Sequence, residues 1–173
     1  GPAVRGLGDR LGPVVFQFPP LDLRGSGPFG GVHAFLDLLE AFLSGVAPAT
    51  AHAIIAVELR NREVFEARFA ARYAAILKGT GVCVGFAHHP ALPTIELQRA
   101  ALAESDWDIA AQPAFVCRWL LRHNHTYRSA KEAYGKHDYS IVVDSDVPTR
   151  RAIADAALAA DAAGRPGWII VNN

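Results

Sequence analysis

Glu58 and Arg60 stand two residues apart at the end of the apolar run Ile54 to Leu59. In an extended strand that spacing puts both side chains on one face. A carboxylate beside a guanidinium could form an ion pair, or could present an acid/base group and an anion-holding group to a ligand. Arg118 interrupts a second apolar run, Phe115 to Leu121, and an arginine in buried surroundings requires an anion. That anion could be Glu58, or a ligand carboxylate or phosphate. Gln17 lies near the end of a third run, Leu11 to Pro20 (LGPVVFQFPP), where its amide could orient a hydroxyl or a carboxylate, or satisfy backbone groups around Pro19 and Pro20. Asn172 and Asn173 close a fourth, WIIVNN; side chains alternate, so one of the two is expected to face inward.

These groups share one feature of placement. LGPVVFQFPP, AVELRN (56–61), VGFAHH (84–89), VCRWLLRHN (116–124) and WIIVNN (168–173) are apolar strand-like runs that finish in polar side chains. Strands of a parallel α/β fold place ligands at their carboxyl ends, so the polar endings predict one face that collects functional residues. Between the runs the apolar residues recur at helical spacing. Helices are expected over 32–43, with an apolar stripe of Phe35, Leu38, Leu39 and Phe42, over 64–78 with Gly79 as its stop, and over 149–163 with Gly164 as its stop. Looser helical segments are expected over 94–104 and 129–134. Asp144 and Asp146 read as caps of the last long helix. Strands alternating with helices predict parallel pairing through crossover helices, in either an open doubly wound sheet or a closed barrel.

Several classes of chemistry lack their motifs. No Gly-rich dinucleotide fingerprint or phosphate loop follows any strand, and no G-x-S-x-G elbow occurs. His88, His89, His123 and His125 gather near strand ends and could bind a metal, but no HExxH or paired CxxC spacing accompanies them, so no metal ligand is assigned. Tyr127, Tyr134 and Tyr139 are expected to pack the long segment after the fourth strand against the body of the domain. Cys83 and Cys117 read as small buried hydrophobes of a reducing compartment, which predicts a cytoplasmic protein.

At 173 residues the chain is long enough for one domain with a substantial core. Its 17 basic and 17 acidic residues balance, and only three of the basic ones are lysine, which argues against a nucleic-acid partner. No apolar run reaches the roughly 20 residues that span a bilayer, so no membrane partner is expected. Methionine is absent, even at position 1, which predicts a processed product or a piece of a longer one.

GLGDRLGPVVFQFPP, AVELRN, FVCRWLL, YSIVVDSDVPTR and GWIIVNN, in that order, resemble the YecE-like family, domain of unknown function 72. The likeness runs from about Gly6 to Asn173. It implies an eight-stranded (β/α) barrel of the TIM type, an α/β fold in which this chain supplies about five β/α units, the family's strands four to eight. Residues 1–173 would then be a single barrel domain truncated at both ends, short of the roughly 250 residues usual for the fold. Two sheet edges would be exposed, and self-association through them is the expected way of covering them. Glu58 and Arg60 match the family's acidic-X-arginine motif, and Asn172 and Asn173 its closing pair.

The resulting expectation is an enzyme acting on a small polar or anionic ligand at the barrel's C-terminal face. Glu58 is its candidate acid/base, Gln17, Arg60, Arg118, Asn172 and Asn173 bind the ligand, and no cofactor is assigned. The alternatives are a non-catalytic small-ligand-binding protein and a metal-dependent barrel of the sugar-isomerase or endonuclease type.

Overall fold

A computed structural model describes residues 6–49, 53–120, 122, 125–135 and 145–171. Five strands form one parallel sheet in chain order: β1 (Val14–Phe18), β2 (Ile55–Leu59), β3 (Cys83–His88), β4 (Phe115–Trp119) and β5 (Gly167–Val171). The helices are α1 (Val32–Ala49), α2 (Ala67–Thr80), α3 (Ile95–Ala103), α4 (Tyr127–Tyr134) and α5 (Val147–Ala162), with 3-10 turns at Gly8–Arg10 and Arg62–Phe65. Among the described residues the strand order does not reverse, so they contain no topological switch point of the kind where open doubly wound sheets bind ligands.

The two faces of the sheet are built differently. The main core joins Leu36, Leu39 and Leu43 of α1, Tyr73 and Leu77 of α2, Leu102 of α3 and Ile153 and Ala156 of α5 to Val57, Val84, Phe86, Phe115 and Cys117 of the strands. On the opposite face, Ala56, Cys83, Ala114 and Val116 pack with Val15, Ile54 and Trp168, and among the described residues no helix contributes to this cluster. A doubly wound sheet carries helices on both faces, so the described residues form a singly wound α/β layer.

That layer curls. A flat five-stranded sheet separates its edge strands by about 19 Å, four spacings of about 4.8 Å. Yet Trp168 of β5 packs in the same cluster as Val15 of β1, and a Cβ at Gly12 would lie 3.5 Å from the indole Nε1. The helix-free face is therefore concave, and its floor is filled by side chains.

Local departures from the sequence expectation have physical causes. The 64–78 segment is split by Glu66, whose backbone is extended (φ −71°, ψ 141°), into a 3-10 turn and α2. Gly79 does not stop α2; Gly81 does, at φ 67°, the left-handed conformation that glycine adopts without a Cβ penalty. The stripe of α1 is rotated from the expected one. Phe35, Leu36, Leu39 and Leu43 are buried, whereas Leu38 is 58% and Phe42 39% exposed; α1 packs against α2. Phe42 still stacks edge-on against Phe16 and Phe18, at 5.3 and 6.1 Å. Of the two capping aspartates, Asp146 accepts a hydrogen bond from the Thr149 N–H at 3.3 Å, and Asp144 lies outside the described residues.

Among the described residues, no helix is long and apolar enough to cross a membrane.

Candidate functional site

Parallel pairing sets Gln17 of β1 beside Glu58 of β2. Arg60 follows two residues later on the same face, and Arg118 comes from β4, across the intervening β3. Glu58 is fully buried and uses both carboxylate oxygens: Oε1 accepts from Arg60 Nε at 3.0 Å and Oε2 from Arg118 Nη1 at 2.9 Å. Gln17 Oε1 lies 3.3 Å from both Arg60 Nη2 and Arg118 Nη1, as a shared acceptor. Four side chains from three strands thus form one network at the carboxyl ends of the strands.

Its charge is unbalanced. Two guanidiniums share one carboxylate and one neutral amide, leaving one net positive charge. The arginine side chains are 19% and 25% exposed, and among the described residues their other N–H groups have no protein acceptor. A guanidinium carries five donors in a fixed fork, so donors remain for an incoming anion. Asn172 and Asn173 lie outside the described residues.

The polar residues around this network maintain the strands that carry it. Pro19 and Pro20 have no N–H to donate. Just past them, Asn61 accepts from the Leu21 N–H at 2.8 Å and donates to the Leu21 carbonyl at 2.9 Å, tying the chain after β1 to the end of β2. Buried Gln98 of α3 donates to the Ala87 and Pro93 carbonyls at 2.8 and 2.7 Å and accepts from the Ala87 N–H at 3.4 Å. Buried Gln112 accepts from the Val84 N–H at 2.8 Å. The β2–β3 ladder is short, pairing Ala56 with Cys83 and Val57 with Val84, and Gln98 serves the β3 backbone beyond it. No sequence pattern marks these three amides for such a role; a glutamine on an amphipathic helix such as Gln98 carries no signal of it.

The histidines separate. Buried His88 lies on the helix-covered side of β3, where Nε2 is 3.1 Å from Asp146 Oδ2 and Nδ1 is 3.5 Å from Thr149 Oγ1, docking the start of α5 onto the sheet. His89 Nδ1 accepts from the Ala91 N–H at 3.1 Å inside its own turn. His125 contacts Tyr134 Oη at 2.6 Å and Ser129 Oγ at 3.2 Å, within the α4 segment. His123, Tyr139 and the Tyr127 side chain lie outside the described residues. Among the described residues, no group of three or more His, Cys, Asp and Glu side chains gathers as a metal-ligand set.

Cys83 and Cys117 are free, buried and on opposite faces of the sheet. Burial pushes the Cys117 thiol up to about 12, with the negative charge of Glu58 adding to it. Burial pushes Cys83 up to about 11, partly offset by a hydrogen bond with the Ala114 backbone. Both thiols should therefore resist a maleimide or disulfide reagent at pH 8 in the native protein and react once it is unfolded. Native labelling as fast as that of a free thiol would contradict this. Raised thiol values also favour the folded state only while the thiols stay protonated. That contribution is complete below the ordinary value of 9.0 and is lost as the pH rises toward 11 to 12.

A singly wound parallel α/β layer with a charged cluster at its strand ends defines the class of protein. The family model described as "Protein of unknown function DUF72" matches residues 2–173, and the chain belongs to this YecE-like family. No curated protein and no solved structure gives a significant match.

Proposed function

We propose that this protein binds a small polar anion, such as a carboxylate- or phosphate-bearing metabolite, between Arg60 and Arg118 on the concave face of the sheet. The observation that carries this reading is the surplus cation: two partly exposed guanidiniums share a single buried carboxylate. In this reading the sheet is an arc of a TIM-type barrel, the family's strands four to eight, and the ligand enters at its C-terminal face, as in barrel enzymes generally. Catalysis on the bound ligand, and a cytoplasmic location, belong to the same proposal. So does the covering of the β1 and β5 edges by self-association.

Both oxygens of buried Glu58 accept from guanidiniums, so in this reading it holds the two arginines at a fixed separation, and the acid/base role expected for it belongs to the proposed catalysis. Gln17 supports the same arrangement. Asn172 and Asn173, which lie outside the described residues, remain part of the proposal as ligand-binding groups.

Calorimetric titration with inorganic phosphate, and with a panel of sugar phosphates and small carboxylic acids, tests the reading. Arg118→Ala removes one arm of the clamp and should weaken binding of the best anion by about 10- to 100-fold, the scale of one or two charge-assisted hydrogen bonds. Equal affinity in wild type and Arg118→Ala, or binding of uncharged sugars alone, would overturn it.

A further inference from the structure

We infer that Gly85, a strand glycine with no polar group of its own, is a positioning residue for the Arg60–Glu58–Arg118 cluster. The inference rests on the anion-site reading for its functional meaning and on packing for its geometry. Glycine inside a strand loses more backbone freedom on folding than any other residue, so its presence calls for a compensating reason. Backbone conformation is not that reason. Gly85 is absent from the positive-φ glycines, and any residue could adopt its dihedrals.

The reason is space on the concave face. A Cβ at position 85 would lie 3.3 Å from the Glu58 Cβ, 3.3 Å from the Glu58 N and 3.3 Å from the Val57 carbonyl oxygen. Two of those three atoms are backbone and cannot rotate away. Gly85 also stands where β3 changes partners. Its neighbour Val84 closes the ladder with β2, and Gly85 itself opens the ladder with β4 opposite Val116.

The ion pair between Glu58 and Arg118 must pass over β3 at this level, because the two residues come from the strands on either side of it. A hydrogen at position 85 lets the Glu58 side chain rise close to β3 and meet Arg118 at 2.9 Å. Alanine requires the β2–β3 contact to give by a few tenths of an ångström. Valine adds two further methyl groups beside Glu58 and displaces its carboxylate from one or both guanidiniums. Gly85 thereby determines whether the two arginines stand as a pair with a fixed gap or as two independent surface charges.

The test uses the full chain with Gly85→Ala and Gly85→Val, read by two measurements. The first is the arginine Nε–H region of a 15N-correlated NMR spectrum, where the Arg60 Nε–H, held on Glu58, should give a slowly exchanging signal in the wild type. The second is the affinity for inorganic phosphate. Gly85→Val should lose the protected Arg60 signal while the backbone amides stay dispersed, and phosphate affinity should fall about tenfold, as for one lost charge-assisted hydrogen bond. Gly85→Ala should fall between the two, about threefold weaker. A purely structural role would lower the melting temperature and leave the Arg60 signal in place, which would overturn the inference, as would unchanged affinity in both variants. Should Gly85→Val not fold, the same two readouts on Gly85→Ala decide. Should wild type not bind phosphate at all, the anion reading fails, and the Arg60 signal still decides the role of Gly85.

Discussion

Glu58→Gln is expected to lower the unfolding free energy by about 2–4 kcal/mol, the largest loss of any single change in the cluster. Breaking a buried ion pair by removing one partner typically costs about 3–5 kcal/mol, because it strands the other charge. The loss is smaller here because the arginines are 19% and 25% exposed and can recover some hydration by turning outward. Glutamine keeps one acceptor oxygen and turns an NH2 donor toward the second guanidinium, so the loss falls on one arm as an unfavourable donor–donor contact. Urea unfolding of wild type and variant measures the change as a shift of the midpoint at constant slope. A loss below 1 kcal/mol would mean that the two arginines do not depend on Glu58 and that the pairing is a surface contact of little consequence.

Gln98→Leu should be comparably costly, about 3–5 kcal/mol, although Gln98 stands on a helix and outside the charged cluster. Leucine fits the volume but leaves the Ala87 carbonyl and N–H and the Pro93 carbonyl without the partners that Gln98 supplies at 2.8, 3.4 and 2.7 Å. Each buried group left unsatisfied costs roughly 1–3 kcal/mol. Because Gln98 serves β3 beyond its pairing with β2, the damage should also be local. The Ala87 amide should lose its hydrogen-exchange protection, while amides of β1 and α1 keep theirs relative to global stability. Wild-type stability and an unchanged Ala87 amide would contradict this.

These two positions show how far the sequence could be read. β1 was legible to the residue, Val14–Phe18, because prolines and glycine bound an apolar run of strand length. The Glu58–Arg60 pair was legible because strand alternation puts i and i+2 on one face whatever surrounds them. That Arg118 would meet the same carboxylate was only one of two alternatives, since strand adjacency in space is not encoded in spacing. Its resolution depended on β3 lying between β2 and β4 with a glycine at the crossing point. The roles of Gln98, Gln112 and Asn61 were invisible, because an amide that replaces a missing ladder bond looks like any other polar residue until the strands are seen to part. The α1 stripe was misplaced by its width. Leu38 and Phe42 satisfy helical spacing yet lie outside the core, because spacing marks an apolar stripe without showing how much of it the neighbouring elements cover. Periodicity does not choose between a doubly wound sheet and a barrel arc; the described residues form a singly wound layer, which is consistent with the arc.

The most direct test is a crystal structure of the protein grown or soaked with phosphate. An anion site at Arg60 and Arg118 predicts density within about 3 Å of N–H groups of both guanidiniums, with Glu58 still bound to both from below. A structure at saturating phosphate in which the two arginines contact only Glu58 and Gln17, and no anion lies between them, would contradict it.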